Sequence, residues 1–178
     1  MRAWHLVVLI AAVAIYVIMR PPSAAKIVRG MEVSIPAGTI EYADVRYAAT
    51  WSDSIVRSGD IRYLSRAYTK SVPMVIYDAV LTSGEFSDSS IVEIESTGGG
   101  NFYWRSKKQP QGTLVALHII PENEIVLRSL ASVDEGDRIE IVGRDEINGK
   151  IEGADGSFLR LAHDNHKFVL ASRVSVEN

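Results

Sequence analysis

The densest group of possible metal ligands in this sequence lies near its C-terminal end, between two strand-like runs. His163, Asp164 and His166 stand within the segment His-Asp-Asn-His. Imidazole and carboxylate groups are ligands that zinc and similar ions prefer. A turn rich in His, Asp and Asn is also an ordinary solvated connection, and the spacing indicates no fourth ligand. We therefore interpret the segment as a turn and assign no metal or cofactor, with these three residues as the candidates if a metal binds.

A second group of side chains combines aromatic rings with positive charge. Phe102, Tyr103 and Trp104 are followed by Arg105, and two lysines come shortly after. On a strand the first and third rings share one face, and the tyrosine takes the other. Such rings pack into a core, contact a partner protein or stack on nucleic-acid bases. Trp, Tyr and Arg dominate the energetics of protein interfaces. We assign these four residues as the candidate protein-binding site.

Patterns for nucleophilic or phosphate chemistry are incomplete. Ser34 and Ser71 each precede an apolar residue and a proline, which differs from the Ser-Met-x-Pro pattern of membrane-anchored serine and lysine peptidases. The run Gly98-Gly99-Gly100 lacks the lysine and the helix that follow a phosphate loop, so it is typical of a hairpin connection. Glu93 and Glu95 alternate on a strand, which favours a solvated face over paired catalytic acids. We predict that the protein is not an enzyme.

A long apolar run at the N-terminus predicts a membrane span. No charged side chain interrupts it between Arg2 and Arg20. A helix over this run covers roughly 25 Å, a little less than the ~30 Å hydrocarbon core of a bilayer. Trp4 and Tyr16 lie towards its two ends, where aromatic side chains prefer the interface with water. We predict a transmembrane anchor over residues 1–25, with Trp4, Tyr16 and Arg20 as its contacts with membrane lipid.

A cleavable signal peptide is the alternative to a retained anchor. Ser23, Ala24 and Ala25 offer the small residues that a signal peptidase accepts, whereas the length of the apolar run favours retention. A short basic head before the run is typical of exported single-span proteins. We therefore expect the protein in the inner (cytoplasmic) membrane, with its C-terminal domain in the periplasm or another extracytoplasmic space.

Composition limits the kinds of partner. The sequence has 19 lysine and arginine residues against 22 aspartate and glutamate residues, a net charge of −3, and no cysteine. An acidic surface does not attract phosphate backbones, so we expect no nucleic-acid partner. The lack of cysteine excludes disulfides, thiol catalysis and zinc–thiolate sites.

Short strand-like runs must position these side chains. Residues 26–70 mix strand-like and polar, tyrosine-rich stretches, and we interpret them as a poorly defined extension before a domain over 71–178. In that domain β-branched and aromatic runs alternate with Ser, Gly, Gln or Pro. The predicted strands cover 72–82, 91–97, 102–106, 114–120, 138–143, 158–162 and 167–176.

One helix is predicted in the middle of that domain, from Asn123 to Val133, with Val126, Leu130 and Val133 on its apolar stripe. Strands on both sides of a single helix predict a small β-barrel, OB-like or SH3-like, that contains one short helix. An open sandwich is a further alternative. The predicted fold class is therefore mainly β with one N-terminal transmembrane helix.

Several segments carry a resemblance. They are Tyr77-Asp78-Ala79-Val80-Leu81, Phe102-Tyr103-Trp104-Arg105, Leu117-His118-Ile119-Ile120-Pro121, and Gly136-Asp137 with Gly143. In that order they resemble an uncharacterised group of bacterial proteins of similar length, which have an N-terminal hydrophobic segment and a β-rich domain. The resemblance implies that architecture and no particular activity.

These observations predict a membrane-anchored, non-catalytic protein-binding module, an accessory or assembly subunit of a bacterial envelope membrane complex. Its expected partners are membrane lipid and a membrane-protein complex. Aromatic residues that look exposed support this prediction: Tyr42, Tyr47, Trp51, Tyr63, Tyr68 and Trp104. A tethered small-ligand or metal-binding module that uses the loops around Gly98 and His163 is the alternative, and an anchored hydrolase is the second alternative.

Overall fold

The computed structural model of the protein describes residues 32–34, 39–42, 45–67, 74–98, 100–160 and 166–177. Most of these residues form strands, as predicted. The strands are β1 (Glu32–Ser34), β2 (Thr39–Tyr42), β3 (Val45–Ala48), β4 (Trp51–Ala67), β5 (Ile76–Gly84), β6 (Val92–Gly98), β7 (Asn101–Ser106), β8 (Gly112–Pro121), β9 (Arg138–Glu146), β10 (Lys150–Gly153), β11 (Phe158–Arg160) and β12 (His166–Val176). In the described ranges, helical structure is limited to α1 (Glu124–Ala131) and a 3-10 turn (Glu85–Ser87).

The predicted N-terminal anchor, with Trp4, Tyr16 and Arg20, lies outside the described residues. Within the ranges that are described, no helix combines the length and the apolar character needed to cross a bilayer.

Five of the strands close into a barrel. Around it the order is β12, β8, β5, β4 and β9, and β9 pairs back with β12. Neighbouring strands are antiparallel except β8 and β12, which are parallel. Helix α1 connects β8 to β9. Closure pairs the backbone groups that an open sheet would leave at its edges.

Strand β4 is bent and pairs with two neighbouring strands. Its first part, Trp51 to Asp60, pairs with β9, and its last part, Asp60 to Ala67, pairs with β5. The register shifts between Ile61 and Tyr63, and such a bulge bends a strand. The structure thus differs from the predicted boundary at residue 71, because β4 belongs to the barrel. Most β4 side chains are half-buried or exposed and many are polar, so its apolar alternation is weak.

The barrel encloses an aliphatic core that α1 covers at one end. Helix α1 begins as predicted, because the Asn123 side chain accepts a hydrogen bond from the Val126 N–H at 3.1 Å. Val126 and Leu130 are buried on the helix as predicted, whereas Val133 is buried just beyond the end of the helix at Ala131. The barrel strands contribute the rest of the core, including Ile61, Ala79, Leu81, Leu117, Ile119, Ile139, Ile141, Val169 and Ala171.

Two hairpins are inserted between barrel strands. The β6–β7 hairpin follows β5 and precedes β8, and among the described strands it pairs with no other. The β10–β11 hairpin connects β9 to β12. It joins a second sheet, of order β1-β2-β3-β10-β11, through the pairing of β10 with β3.

Candidate functional site

A group of polar side chains lies on one face of the barrel, beneath the β6–β7 hairpin. Asp78 on β5 and His118 on β8 are directly opposite each other in antiparallel register, so their side chains share a face. His166, at the start of β12, lies opposite Ala116. Since Ala116 is two residues before His118, His166 points to the same face. We call Asp78, His118 and His166 the Asp–His–His cluster.

The cluster is a row of hydrogen-bonded groups. Asp78 Oδ1 lies 2.7 Å from His118 Nδ1, and His118 Nε2 lies 3.2 Å from His166 Nδ1. An ionised carboxylate can only accept, so His118 donates from Nδ1, and in a neutral His118 the lone pair of Nε2 then faces His166. The side chains of Asp78 and His118 are 8% and 13% exposed, and His166 is buried. The row therefore runs from a buried carboxylate to the imidazole of the last barrel strand.

Aromatic and glycine residues surround the cluster. The ring of Phe168 lies 5.2 Å from that of His118, and the ring of Phe102 lies 6.3 Å from that of His166, measured between centroids. Gly100, in the turn of the β6–β7 hairpin, has φ +76°, and a Cβ there would lie 2.5 Å from His118 Cε1. The glycine therefore lets the turn close over the imidazole. The prediction that this glycine run connects two strands of a hairpin is confirmed.

A groove of about 710 Å³ lies beside the hairpin and reaches the cluster. Phe102 and Trp104 of β7 line one side, and Leu114 and Ala116 of β8 line the other. His166 also lines the groove, so one end of the buried row meets a space that is open to ligands.

The four candidate binding residues separate into two faces of β7. Phe102 faces the barrel, where its ring lies 5.0 Å from that of Tyr63. Trp104 faces the same way, edge-on to Phe86 at 5.2 Å, yet it stays 39% exposed. Tyr103, on the opposite face, is 48% exposed. Phe102, Tyr103 and Trp104 all border the groove, whereas Arg105 does not.

Carboxylates form ion pairs with two positively charged side chains of the hairpin region. Arg105 forms ion pairs with Glu93 and Glu95 across the hairpin, as expected for charges on its solvated face. Lys108 Nζ lies 2.5 Å from Glu85 Oε1. That hydrogen bond, followed by one from the Gln111 N–H, lowers the pKa of Glu85 below its ordinary value.

The metal ligands considered from the sequence are only partly visible. His163 and Asp164 lie outside the described residues, whereas His166 is described and buried in the cluster. Within the described part of the chain, no three His, Asp or Glu side chains converge as a metal site. Sequence reasoning missed Asp78 and His118 as site residues, because 40 residues separate them and only strand register unites them.

The exposure expected for the aromatic residues was largely wrong. Tyr47 is fully buried in the core, and Trp51 and Tyr63 are half-buried. Trp104 is the exposed member among those whose side chains are described. The remaining two side chains lie outside that set: Tyr42 and Tyr68.

No protein-family model and no curated protein matches the chain. Among solved structures, it is similar to a small single-stranded DNA-binding protein from Streptomyces coelicolor. The sequence identity is 12%, the TM-score is 0.36, and the match covers 70% of this chain and 92% of that one. The prediction of no nucleic-acid partner conflicts with this finding and is withdrawn. Net charge averages over a whole surface, whereas phosphate binding depends on local groups.

Proposed function

We propose that the protein is a membrane-tethered, non-catalytic binding module, and that its groove beside the β6–β7 hairpin holds a segment of a partner protein. The observation that carries this proposal is the pair of exposed rings, Tyr103 and Trp104, at the border of a groove of about 710 Å³. Exposed Trp and Tyr beside a concave surface are typical of binding sites.

The barrel connectivity supports an OB-like fold as the scaffold of this module. Strands β4, β5 and β8 pair in succession, α1 follows β8, and β12 closes the barrel between β8 and β9. A five-stranded barrel of this kind binds its ligands on the face formed by its second and third strands. In this protein those strands are β5 and β8, and the β6–β7 hairpin that connects them borders the groove.

The aromatic side chains of the groove are held in place before a partner binds. Trp104 rests edge-on against Phe86, and Phe102 rests against Tyr63. Edge-to-face contacts fix the orientation of a ring. A ring that is already ordered loses little conformational entropy on binding, which strengthens association.

A polypeptide is the partner that fits these features. Arg105 and Lys108 lie outside the groove and are already paired with carboxylates, so the groove offers ring surface beside neutral polar side chains such as Gln109 and Thr113. Strand β7 pairs only with β6 among the described strands, which leaves its other edge for an extended segment. The rings would supply affinity, and the strand edge would supply direction.

The tether is supported by the sequence of residues 1–25. Its uncharged run between Arg2 and Arg20 is long enough for one span with slight adjustment of the bilayer. The short basic head favours a periplasmic or other extracytoplasmic position for the barrel. A module held there would act as an accessory or assembly subunit of an envelope membrane complex.

Quantitative co-purification in gentle detergent tests the proposal. We expect the full-length protein to return membrane proteins in a fixed ratio, and both Tyr103→Ala and Trp104→Ala to reduce their recovery roughly tenfold or more. Phe158→Ala is the matched control, because this exposed aromatic lies on β11, away from the groove. Equal recovery with all variants, or recovery that nuclease treatment abolishes, would contradict a protein partner in the groove.

A truncation tests the tether separately. A chain without residues 1–25 should leave the membrane fraction in an alkaline wash that releases peripheral proteins, while its folded barrel keeps the same near-ultraviolet circular dichroism. A truncated chain that stays in the membrane after that wash would show that the anchor is wrongly placed.

A further inference from the structure

In the Asp–His–His cluster, two imidazole nitrogens face each other at a distance that suits a hydrogen bond or a shared metal ion. We propose that His118 Nε2 and His166 Nδ1 are ligands of a divalent transition-metal ion, with zinc as the best fit. Asp78 is the positioning residue that orients His118 from behind. This site lies beneath the β6–β7 hairpin, and its test requires no partner protein.

The spacing of the two nitrogens suits one metal ion. They lie 3.2 Å apart. Two nitrogen ligands at 2.0–2.1 Å from a tetrahedral zinc ion are separated by about 3.3 Å. An ion between the imidazoles therefore requires a small adjustment of either side chain and the movement of the proton that they share, from His166 Nδ1 to its Nε2 or to solvent. A direct N–H to N hydrogen bond also has this length, so metal titration separates the two states.

Asp78 stands where a metal-binding histidine needs its second partner. Its Oδ1 accepts from His118 Nδ1 at 2.7 Å, on the ring nitrogen opposite the one that faces His166. Metal-binding histidines almost always donate this second N–H to a carboxylate, a carbonyl or water. The bond fixes the tautomer in which Nε2 carries the lone pair that a metal requires.

The surroundings favour a cation between the rings. Asp78, His118 and His166 are shielded from water, and Phe102 and Phe168 contact the imidazoles. A buried carboxylate is costly unless positive charge or hydrogen bonds compensate it. A metal ion would supply that charge one imidazole away.

The groove gives the ion a route into the site. His166 lines the groove with only 4% of its surface exposed, so an ion that enters from the groove needs a small displacement of the β6–β7 hairpin or of the His166 ring. Asp78 lies behind His118 and not at the ion, which agrees with the lack of a three-residue cluster among the described side chains. The described residues supply two ligands, and exchangeable water can complete the coordination. Affinity should therefore be lower than that of a closed four-ligand zinc site.

The sequence pattern indicated candidate metal ligands only at His163, Asp164 and His166. His166 belongs to that group, whereas its proposed partner ligand His118 precedes it by 48 residues on another strand. The carboxylate that orients His118, Asp78, is a further 40 residues earlier.

Titration of the full-length protein with Zn²⁺ and Co²⁺, after dialysis against a chelator, tests the proposal. We expect about one equivalent of each ion to bind, and Co²⁺ to give the visible absorption of a low-symmetry nitrogen-ligated site. His118→Gln and His166→Gln should each abolish that absorption. Asp78→Asn should weaken Zn²⁺ affinity roughly 10–100-fold while the spectrum keeps its shape.

The control variant is His5→Gln, which removes a histidine in the predicted anchor and should bind as the unmodified protein does. Circular dichroism shows whether each variant is folded. A folded protein that binds neither ion would overturn the proposal, and so would binding that both His118→Gln and His166→Gln leave unchanged. Should one glutamine variant fail to fold, the affinity of Asp78→Asn decides, because an unchanged value contradicts its positioning role.

Discussion

Each hairpin inserted into the barrel lies beside a buried carboxylate, and the two carboxylates have different partners. Glu146, at the end of β9, is 2% exposed and accepts the Asn148 and Lys150 N–H groups at 2.9 and 2.8 Å, one on each oxygen. Asp78 instead bonds an imidazole from a strand 40 residues away. A carboxylate satisfied by the next few backbone groups builds a turn. One that continues through two imidazoles to a groove has the arrangement of a binding site.

The largest expected effect comes from removing the charge of each buried carboxylate and comparing the loss of stability. In Glu146→Gln the new NH₂ group faces a backbone N–H, so one hydrogen bond is lost and a buried donor is unsatisfied. We expect the free energy of unfolding to fall by about 2–3 kcal/mol. In Asp78→Asn the amide oxygen can still accept from His118 Nδ1, so the metal-free protein should lose about 1 kcal/mol or less. Urea unfolding followed by circular dichroism measures both, and the opposite order would refute the comparison.

The glycines in the turns of the two hairpins provide a second comparison. Gly100 and Gly156 have φ of +76° and +84°, so alanine is strained by the backbone at both. A Cβ at Gly100 would also meet His118, whereas nothing lies within 4 Å of one at Gly156. We expect Gly156→Ala to cost about 1 kcal/mol and Gly100→Ala about twice that. Thermal unfolding compares them, and equal shifts would show that the β6–β7 turn does not rest on His118.

The exposed rings of the two hairpins should also differ. Trp104 packs edge-on against Phe86 at 5.2 Å, whereas Phe158 is 57% exposed with Lys150 Nζ 6.0 Å from its ring centre. We expect Trp104→Ala to lower the free energy of unfolding by about 1–2 kcal/mol and Phe158→Ala by under about 0.5 kcal/mol. Equal losses of unfolding free energy in urea would mean that the contact with Phe86 does not stabilise Trp104.

The smallest effect concerns two exposed carboxylates. A hydrogen bond from Lys108 lowers the pKa of Glu85, and one from the Ser157 hydroxyl lowers the pKa of Asp155. Because each pKa is lower in the folded state, the resulting stability is present above the unfolded pKa and is lost as pH falls through the folded pKa. Lys108→Met should raise the pKa of Glu85 alone, and Ser157→Ala that of Asp155 alone. Side-chain carboxyl NMR from about pH 2 to 6 measures this. A shift at both sites in one variant would contradict local causes.

The elements that could be predicted are those with local signals. Asn123 caps α1 through a residue three positions away, and the strands from β5 to β12, except β10, are β-branched or aromatic runs between turn residues. Strand β4 gave no such signal, because it divides its pairing between two neighbours and exposes many polar side chains. The cluster was beyond reach, since Asp78 and His118 become neighbours only through the register of β5 and β8.

The parallel pairing of β8 with β12 also sets an order of assembly. β12 is the last strand of the described chain, and it must fit between β8 and β9, which are synthesised earlier. Until it arrives, the edges of β8 and β9 are unpaired, which is a hazard for aggregation in a nascent polypeptide. His166 reaches His118 only when that gap is filled. A ligand of this cluster would therefore bind only molecules in which β12 has paired, so its binding would report the completion of folding.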